Sequence, residues 1–156
     1  MKSFPPLSAV LLLLLSTSAL AAQVSEADFA GTWELVSIEV VDESGEWVPW
    51  PNPMGGRAVG VLMYDGDRNM AAQITSDPRS VVTPPEWGDI IHGYMAYYGR
   101  YEVDATERTV THHRRNHLNP DRGNVSVVRH FELEGDRLIL TVAPDLDVRL
   151  TWTRDR

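Results

Sequence analysis

Three tight turns constrain this chain more than any other feature. Asp65-Gly66-Asp67-Arg68, Asp104-Ala105-Thr106-Glu107-Arg108 and Glu134-Gly135-Asp136-Arg137 each separate two runs of alternating apolar and polar residues, the pattern of a β-hairpin. Strand-like runs cover 31–41, 58–65, 69–76, 99–104, 108–117, 124–134, 137–143 and 147–154. The other connections, 42–57, 77–98, 118–123 and 144–146, are longer or proline-containing. In an up-and-down sheet successive connections alternate ends, so the tight turns gather at one end and the long connections at the other. The expected fold is all-β: an eight-stranded up-and-down antiparallel barrel with a closed bottom and an elaborated mouth.

The turns also set which residues face each other. Counting outward from Gly135-Asp136 puts Leu133 opposite Leu138, Phe131 opposite Leu140 and Arg129 opposite Val142. Around the 104–108 turn, Val103 meets Val110 and Tyr101 meets His112. The runs at 58–65 and 69–76 are apolar on both faces and give no orientation. Ser25 to Phe29 reads as a short capped turn before Gly31-Thr32-Trp33, and Trp33 is expected to plug the closed end. One helix is expected over 84–98. Pro84-Pro85 suits its start, Trp87, Ile91, Tyr94/Met95 and Tyr98 recur at helical spacing, and Gly99 ends it. Its apolar stripe packs either on the outer wall or over the mouth as a gate.

The first 22 residues read separately from the domain at 23–156. Lys2, the apolar run Val10–Leu15 and the small residues ending at Ala21-Ala22 form the pattern of a secretory signal peptide. Export to the periplasm or medium is therefore expected, with cleavage after Ala21 or Ala22. The apolar run is too short for a stable membrane span, and with no cysteine neither disulfides nor a lipid anchor on sulfur is expected. Fourteen basic against 22 acidic residues give a formal net charge of −8, which becomes −9 once Lys2, the one lysine, is removed. Such a balance opposes nucleic acid and anionic membrane surfaces as partners.

Taken in order, Gly31-Thr32-Trp33-Glu34-Leu35-Val36, Gly60-Val61-Leu62-Met63-Tyr64, Gly99-Arg100-Tyr101-Glu102-Val103, Thr109-Val110-Thr111-His112-His113 and Arg129 to Leu138 resemble the lipocalin-like domain family in its short bacterial, exported form. The resemblance covers about residues 29–154 and implies a lipocalin-type β-barrel around a cavity for a small, often apolar molecule. It implies no particular activity. Lipocalins stack an arginine on the indole of the Gly-x-Trp motif, and this chain offers Arg129 and Arg154 for that role.

Candidate ligand-binding residues are Trp33, Trp87, Tyr94, Tyr98, Tyr101, His112 and Arg129. Arg129 shares a face with Phe131 and Leu133, and a buried guanidinium needs a partner: a ligand carboxylate or phosphate, the Trp33 ring, backbone carbonyls or Glu34 would serve. Trp33 is either a ligand floor or a core plug. No metal is expected, because a strand sends His112 and His113 to opposite faces and His113 and His117, read on one face, stand ~13 Å apart at ~3.3 Å per residue. Nothing in the sequence calls for a cofactor. Trp47, Trp50, Met54, Trp87, Tyr94, Met95, Tyr97 and Tyr98 supply an aromatic and methionine-rich rim suited to apolar contact. Three functions fit: binding a small hydrophobic or amphipathic molecule with Arg129, Tyr101 and His112 as polar anchors, cofactor-free isomerisation or cyclisation with His112 and Tyr101 as acid and base, or docking of a partner protein on the rim. The oligomeric state is not legible.

Overall fold

A computed structural model describes residues 24–52, 56–77, 94–142 and 147–154. In chain order the elements are α1 (Glu26–Phe29), β1 (Gly31–Val41), β2 (Trp47–Pro49), β3 (Arg57–Tyr64), β4 (Asn69–Asp77) and β5 (Tyr94–Asp104). They continue with β6 (Thr109–His117), a single 3-10 turn at Pro120–Arg122, β7 (Ser126–Glu134), β8 (Arg137–Val142) and β9 (Val148–Thr153). Strands β3 to β9 pair antiparallel with their chain neighbours, and β1 pairs with both β3 and β9, closing an eight-stranded antiparallel barrel. Among the described residues no helix is long and apolar enough to cross a membrane.

The pairs expected from the tight turns are present: Leu133–Leu138, Phe131–Leu140 and Arg129–Val142 between β7 and β8, Val103–Val110 and Tyr101–His112 between β5 and β6. Strands β3 and β4, ambiguous by composition, turn Leu62, Tyr64, Met70, Ala72 and Ile74 into the core and leave Met63 exposed. Of the helix expected over 84–98, residues 84–93 lie outside the described residues and 94–98 are strand. Tyr94 to Tyr98 pair with Thr75–Ala71 of β4, and Tyr97 and Tyr98 pair also with His117 and Asn116 of β6. That double pairing, together with the strand preference of Tyr, outweighs the helical spacing of the aromatics. The proposed leader at 1–22 and the rim residue Met54 also lie outside the described residues.

Strand β1 is shared among three partners. Its start, Gly31–Glu34, pairs with Tyr64–Val61 of β3, while its remainder runs along β9 with a bulge between Leu35 and Ser37. Beyond Glu34 the place of β3 is taken by β2, which folds back onto Glu39–Val41, and by the Trp50 amide, which donates to the Ile38 carbonyl at 2.9 Å. The wall between upper β1 and upper β3 is thus spanned by Trp50 and Asn52, and Asn52 donates to Ser76 Oγ at 2.9 Å.

The closed end is built around Trp33. Ser25 caps α1 by donating its amide and hydroxyl to the Asp28 carboxylate, at 2.8 and 2.9 Å; these bonds hold Asp28 below its usual carboxylate range. The helix delivers Phe29, whose ring meets Tyr64 and Phe131 edge-on at 5.5 and 5.1 Å, and whose carbonyl accepts from Trp33 Nε1 at 2.9 Å. Arg154, not Arg129, lies over the indole at 4.3 Å. Its Nη1 donates to the Ala30 and Asp28 carbonyls at 2.7 and 3.0 Å, and its Nε faces Asp136 at 3.5 Å. One planar cation therefore joins α1, β1, the β7–β8 turn and the end of β9.

Arg154→Ala should lower stability by about 2 kcal/mol, since it removes a ring stack and two charge-assisted bonds. Arg154→Lys should recover less than half of that, because an ammonium cannot lie flat on the indole while bonding two carbonyls. Urea unfolding of both variants measures this, and an unshifted midpoint for the alanine variant refutes the role.

Candidate functional site

The mouth half of the barrel encloses a cavity of about 580 Å³. Its apolar wall comes from Ile38, Ala58, Ile74, Met95, Val142 and Leu150, with Val127 and Val148 nearby. The cavity lies entirely beyond the aromatic plug, at the end opposite the tight turns, because lining residues come from the late half of each upward strand and the early half of each downward one. Its size falls within the range of small-molecule sites.

Asn52, Thr75, Ser76 and Tyr94 add neutral polar groups to the lining, but its cationic groups concentrate on one side, where β6, β7 and the 3-10 turn bring Arg114, His117, Asn119, Arg122 and Arg129 together. The turn is set by Asn119, whose side chain accepts from the Asp121 amide at 3.0 Å. A bulge in β6 produces the clustering. Tyr98 pairs with Asn116 but Gly99 pairs with Arg114, so Arg115 is extra and the alternation changes phase. Gly99 permits it: a Cβ there would come within 2.0 Å of the His113 carbonyl oxygen. As a result Arg114 and His117 both turn inward. His113, expected on the same face as His117, turns outward instead and bonds Ser126 Oγ at 2.8 Å.

Tyr97 connects these groups. It is 6% exposed. Arg114 lies over its ring at 4.7 Å, and the His117 imidazole is parallel to it within 6° at 5.8 Å. Its hydroxyl accepts from Arg129 Nη2 at 3.3 Å and bonds His112 Nδ1 at 3.0 Å. Beyond His112, Tyr64 Oη bonds Nε2 at 2.6 Å. The imidazole thus bridges two phenols and can hold either tautomer: Tyr97 donates to Nδ1 while Nε2–H donates to Tyr64, or the reverse. Burial, followed by the charges of Arg129 and Arg114, holds His112 well below its ordinary range and so neutral. Burial likewise keeps the Tyr64 phenol protonated, well above its usual value.

The sequence candidates fall into distinct places. Arg129, 7% exposed, and Tyr94 line the cavity. His112 is fully buried in the floor beneath it. Trp33 and Tyr101 belong to the closed end. Tyr101 is directly opposite His112 in the ladder, yet its hydroxyl donates to the Glu26 carbonyl at 3.2 Å. Tyr98 is 54% exposed, on the outer face. Trp87 lies outside the described residues. Of the rim aromatics, Trp50 lines the cavity, whereas Trp47 is packed under Arg149, 4.4 Å from its ring. Sequence reading overlooked Arg114 and the linking role of Tyr97. Their signal was plain alternation, Arg114 with His112 and Tyr97 with Tyr101; the Gly99 opposite a long polar run, a bulge signature, bears on His117. Among the described residues no three His, Cys, Asp or Glu converge as a metal would require.

The burial of His112 gives a pH dependence. The unfolded chain binds a proton at its ordinary value of 6.5, which the folded protein refuses, so the unfolded state holds more protons and stability falls as pH drops below about 6.5. The slope should be at most about 1.4 kcal/mol per pH unit for this group, with a smaller addition from His117, lowered chiefly by burial. Asp28, Asp42, Asp65 and Glu39 are held below ordinary values of 3.8 and 4.5, so their losses begin only at lower pH. Denaturant unfolding between about pH 6.5 and 4.5 should show the fall, and His112→Gln should flatten it. An equal slope in that variant would remove His112 as its source.

A family model described as a lipocalin-like domain matches residues 30–153, from the residue before β1 to the end of β9. No curated protein matches the chain. The matched span contains every strand of the barrel and every residue lining its cavity, and the chain belongs to the lipocalin-like domain family.

Proposed function

We propose that this protein binds a small amphipathic molecule in the mouth cavity, after export directed by residues 1–22. The observation that carries this reading is the cavity's combination of a largely apolar wall with one cationic side, above a packed floor. An apolar body gains roughly 25 cal/mol for each Å² removed from water, and the polar side fixes its orientation. The leader-like N-terminus and the acidic composition of the chain, −8 overall, favour an exported carrier over a nucleic-acid or membrane-surface binder.

The isomerase or cyclase reading has less support. Of its acid and base pair, His112 does not line the cavity and Tyr101 directs its hydroxyl to α1. The charged groups in contact with the cavity are arginines, which orient and neutralise more readily than they remove protons.

Ala58→Trp places an indole on the apolar wall and should abolish binding of any cavity ligand while leaving the melting temperature within a few degrees. A panel of amphipathic compounds tested by thermal shift checks this: ligands that stabilise the native chain should not stabilise the variant. Equal stabilisation of both proteins would move the binding site elsewhere.

A further inference from the structure

We infer that the cavity is built for the anionic head of its ligand, received by Arg114, Arg122, Arg129 and the Nε2–H of His117, with the apolar body against Ile38, Ile74 and Leu150. The inference rests on the reading of the mouth cavity as a ligand site and names the chemistry of its occupant.

Outside the cavity, Arg149 forms a two-pronged bond to Glu39 at 2.9 and 3.0 Å, Arg68 faces Glu26 at 3.2 Å, and Arg154 faces Asp136. The chain has acid to spare, 22 acidic against 14 basic residues. Yet among the described residues none that lines the cavity is acidic, and none of Arg114, Arg122 and Arg129 has a carboxylate within salt-bridge distance. Arginines on the outer surface, such as Arg57, Arg100 and Arg115, also lack such a partner but are exposed to water, whereas Arg114 and Arg129 carry their charge into the cavity wall, where no described carboxylate balances it.

The unused hydrogen-bonding capacity has the same sign. Arg129 is buried and among the described residues uses two of its five N–H donors, in long bonds of 3.3 Å to Tyr97 Oη and 3.4 Å to the Val127 carbonyl. Arg114 Nε is buried with no partner among the described residues. His117 Nδ1 accepts from the Asn119 amide at 2.9 Å, which puts the neutral ring's proton on Nε2, and that atom is also buried with no partner. Each of these unfilled groups is a donor, and all lie on one side of the cavity. Buried donors left unmade are costly, and like charges held together in a partly dry wall are more so. Burial and the neighbouring Arg129 and Arg122 charges both weaken Arg114's hold on its proton. An oxyanion removes all of these penalties at once, because its lone pairs meet several donors and its charge balances theirs. Neutral polar heads satisfy a donor or two and leave the charges uncompensated.

Two fluorescent probes test this, because they share one aromatic skeleton and differ by a single charged group: anilinonaphthalene sulfonate and the neutral phenylnaphthylamine. The native protein should bind the sulfonate about tenfold or more tightly, and Arg129→Gln and Arg114→Gln should each lower sulfonate affinity about tenfold without changing that of the amine. Arg122→Gln, on the exposed 3-10 turn, tests the cluster without touching the core, and Arg100→Gln on the outer face should change neither probe. Without probe, Arg129→Gln should melt no lower than the native chain, whereas a structural arginine would melt lower. Displacement of the sulfonate by dodecanoate or by dodecyl phosphate then separates a carboxylate head from a phosphate head, and displacement by neither overturns the inference. Equal affinity for the two probes refutes the anionic head while leaving the carrier reading intact; binding of neither probe removes both.

Discussion

Everything inside the barrel depends on the two-residue period of its strands, held in phase by short turns at the closed end. Once Gly135-Asp136 pairs Leu133 with Leu138, each residue further along β7 and β8 has its side assigned, up to Arg129 and Val142 at the cavity. The same logic from the 104–108 turn sends Tyr101 and His112 inward together. Side chains near the turns are aromatic or bulky, and interlock into the plug of Phe29, Trp33, Tyr64, Tyr101 and Phe131. Further up, the wall residues shorten to Ala58, Val127 and Val142. A barrel of eight strands is just wide enough either to fill or to hold one ligand, and the change in side-chain size along its axis makes this one do both.

What the sequence revealed, and what it hid, follow from the range of the interactions involved. Turn chemistry and alternation are local, so the hairpins and the inward set of β5 to β8 could be counted from residues alone. The choice between Arg129 and Arg154 for the Trp33 ring was not local. It turns on barrel closure, which brings β9 beside β1 and leaves Arg129 on the far side of the plug. Tyr94 to Tyr98 misled because their spacing with Trp87 and Ile91 fits a helical face while 95, 97, 99 and 101 fit a strand equally well. Two flanking strands in need of partners decided the matter. Part of the cavity's cationic side was hidden by a single extra residue, Arg115, which reversed the phase of β6 and brought His117 to the same side as Arg114 and Arg129.

That reversal places the costly part of the structure in one region. The closed end satisfies its buried cation, with Arg154 spread over two carbonyls, an indole and Asp136. The mouth does the opposite and gathers cations and unfilled donors on one wall. Folding alone gives no reason for this, since apolar residues of similar volume would pack there at lower cost. Stability withheld at one place and secured at another is the usual relation between a binding site and the scaffold around it.

Tyr97 makes the floor and the cationic wall a single unit. Its hydroxyl faces both Arg129 and His112, while its ring carries Arg114 and His117. Charge at the wall is therefore felt at the floor, and the ordering of effects on His112 sets how far. Burial is the first cause of its lowered basicity and Arg129 only the second. An anion seated on Arg129 would offset the second cause and leave the first untouched. His112 then stays neutral with the site empty or filled, a fixed bridge between two phenols. Since linkage is reciprocal, the same ordering keeps His112 from making anion binding strongly pH-dependent. His117, nearer the opening and also depressed by burial together with Arg114 and Arg122, is the group at this wall whose proton an arriving anion would most affect.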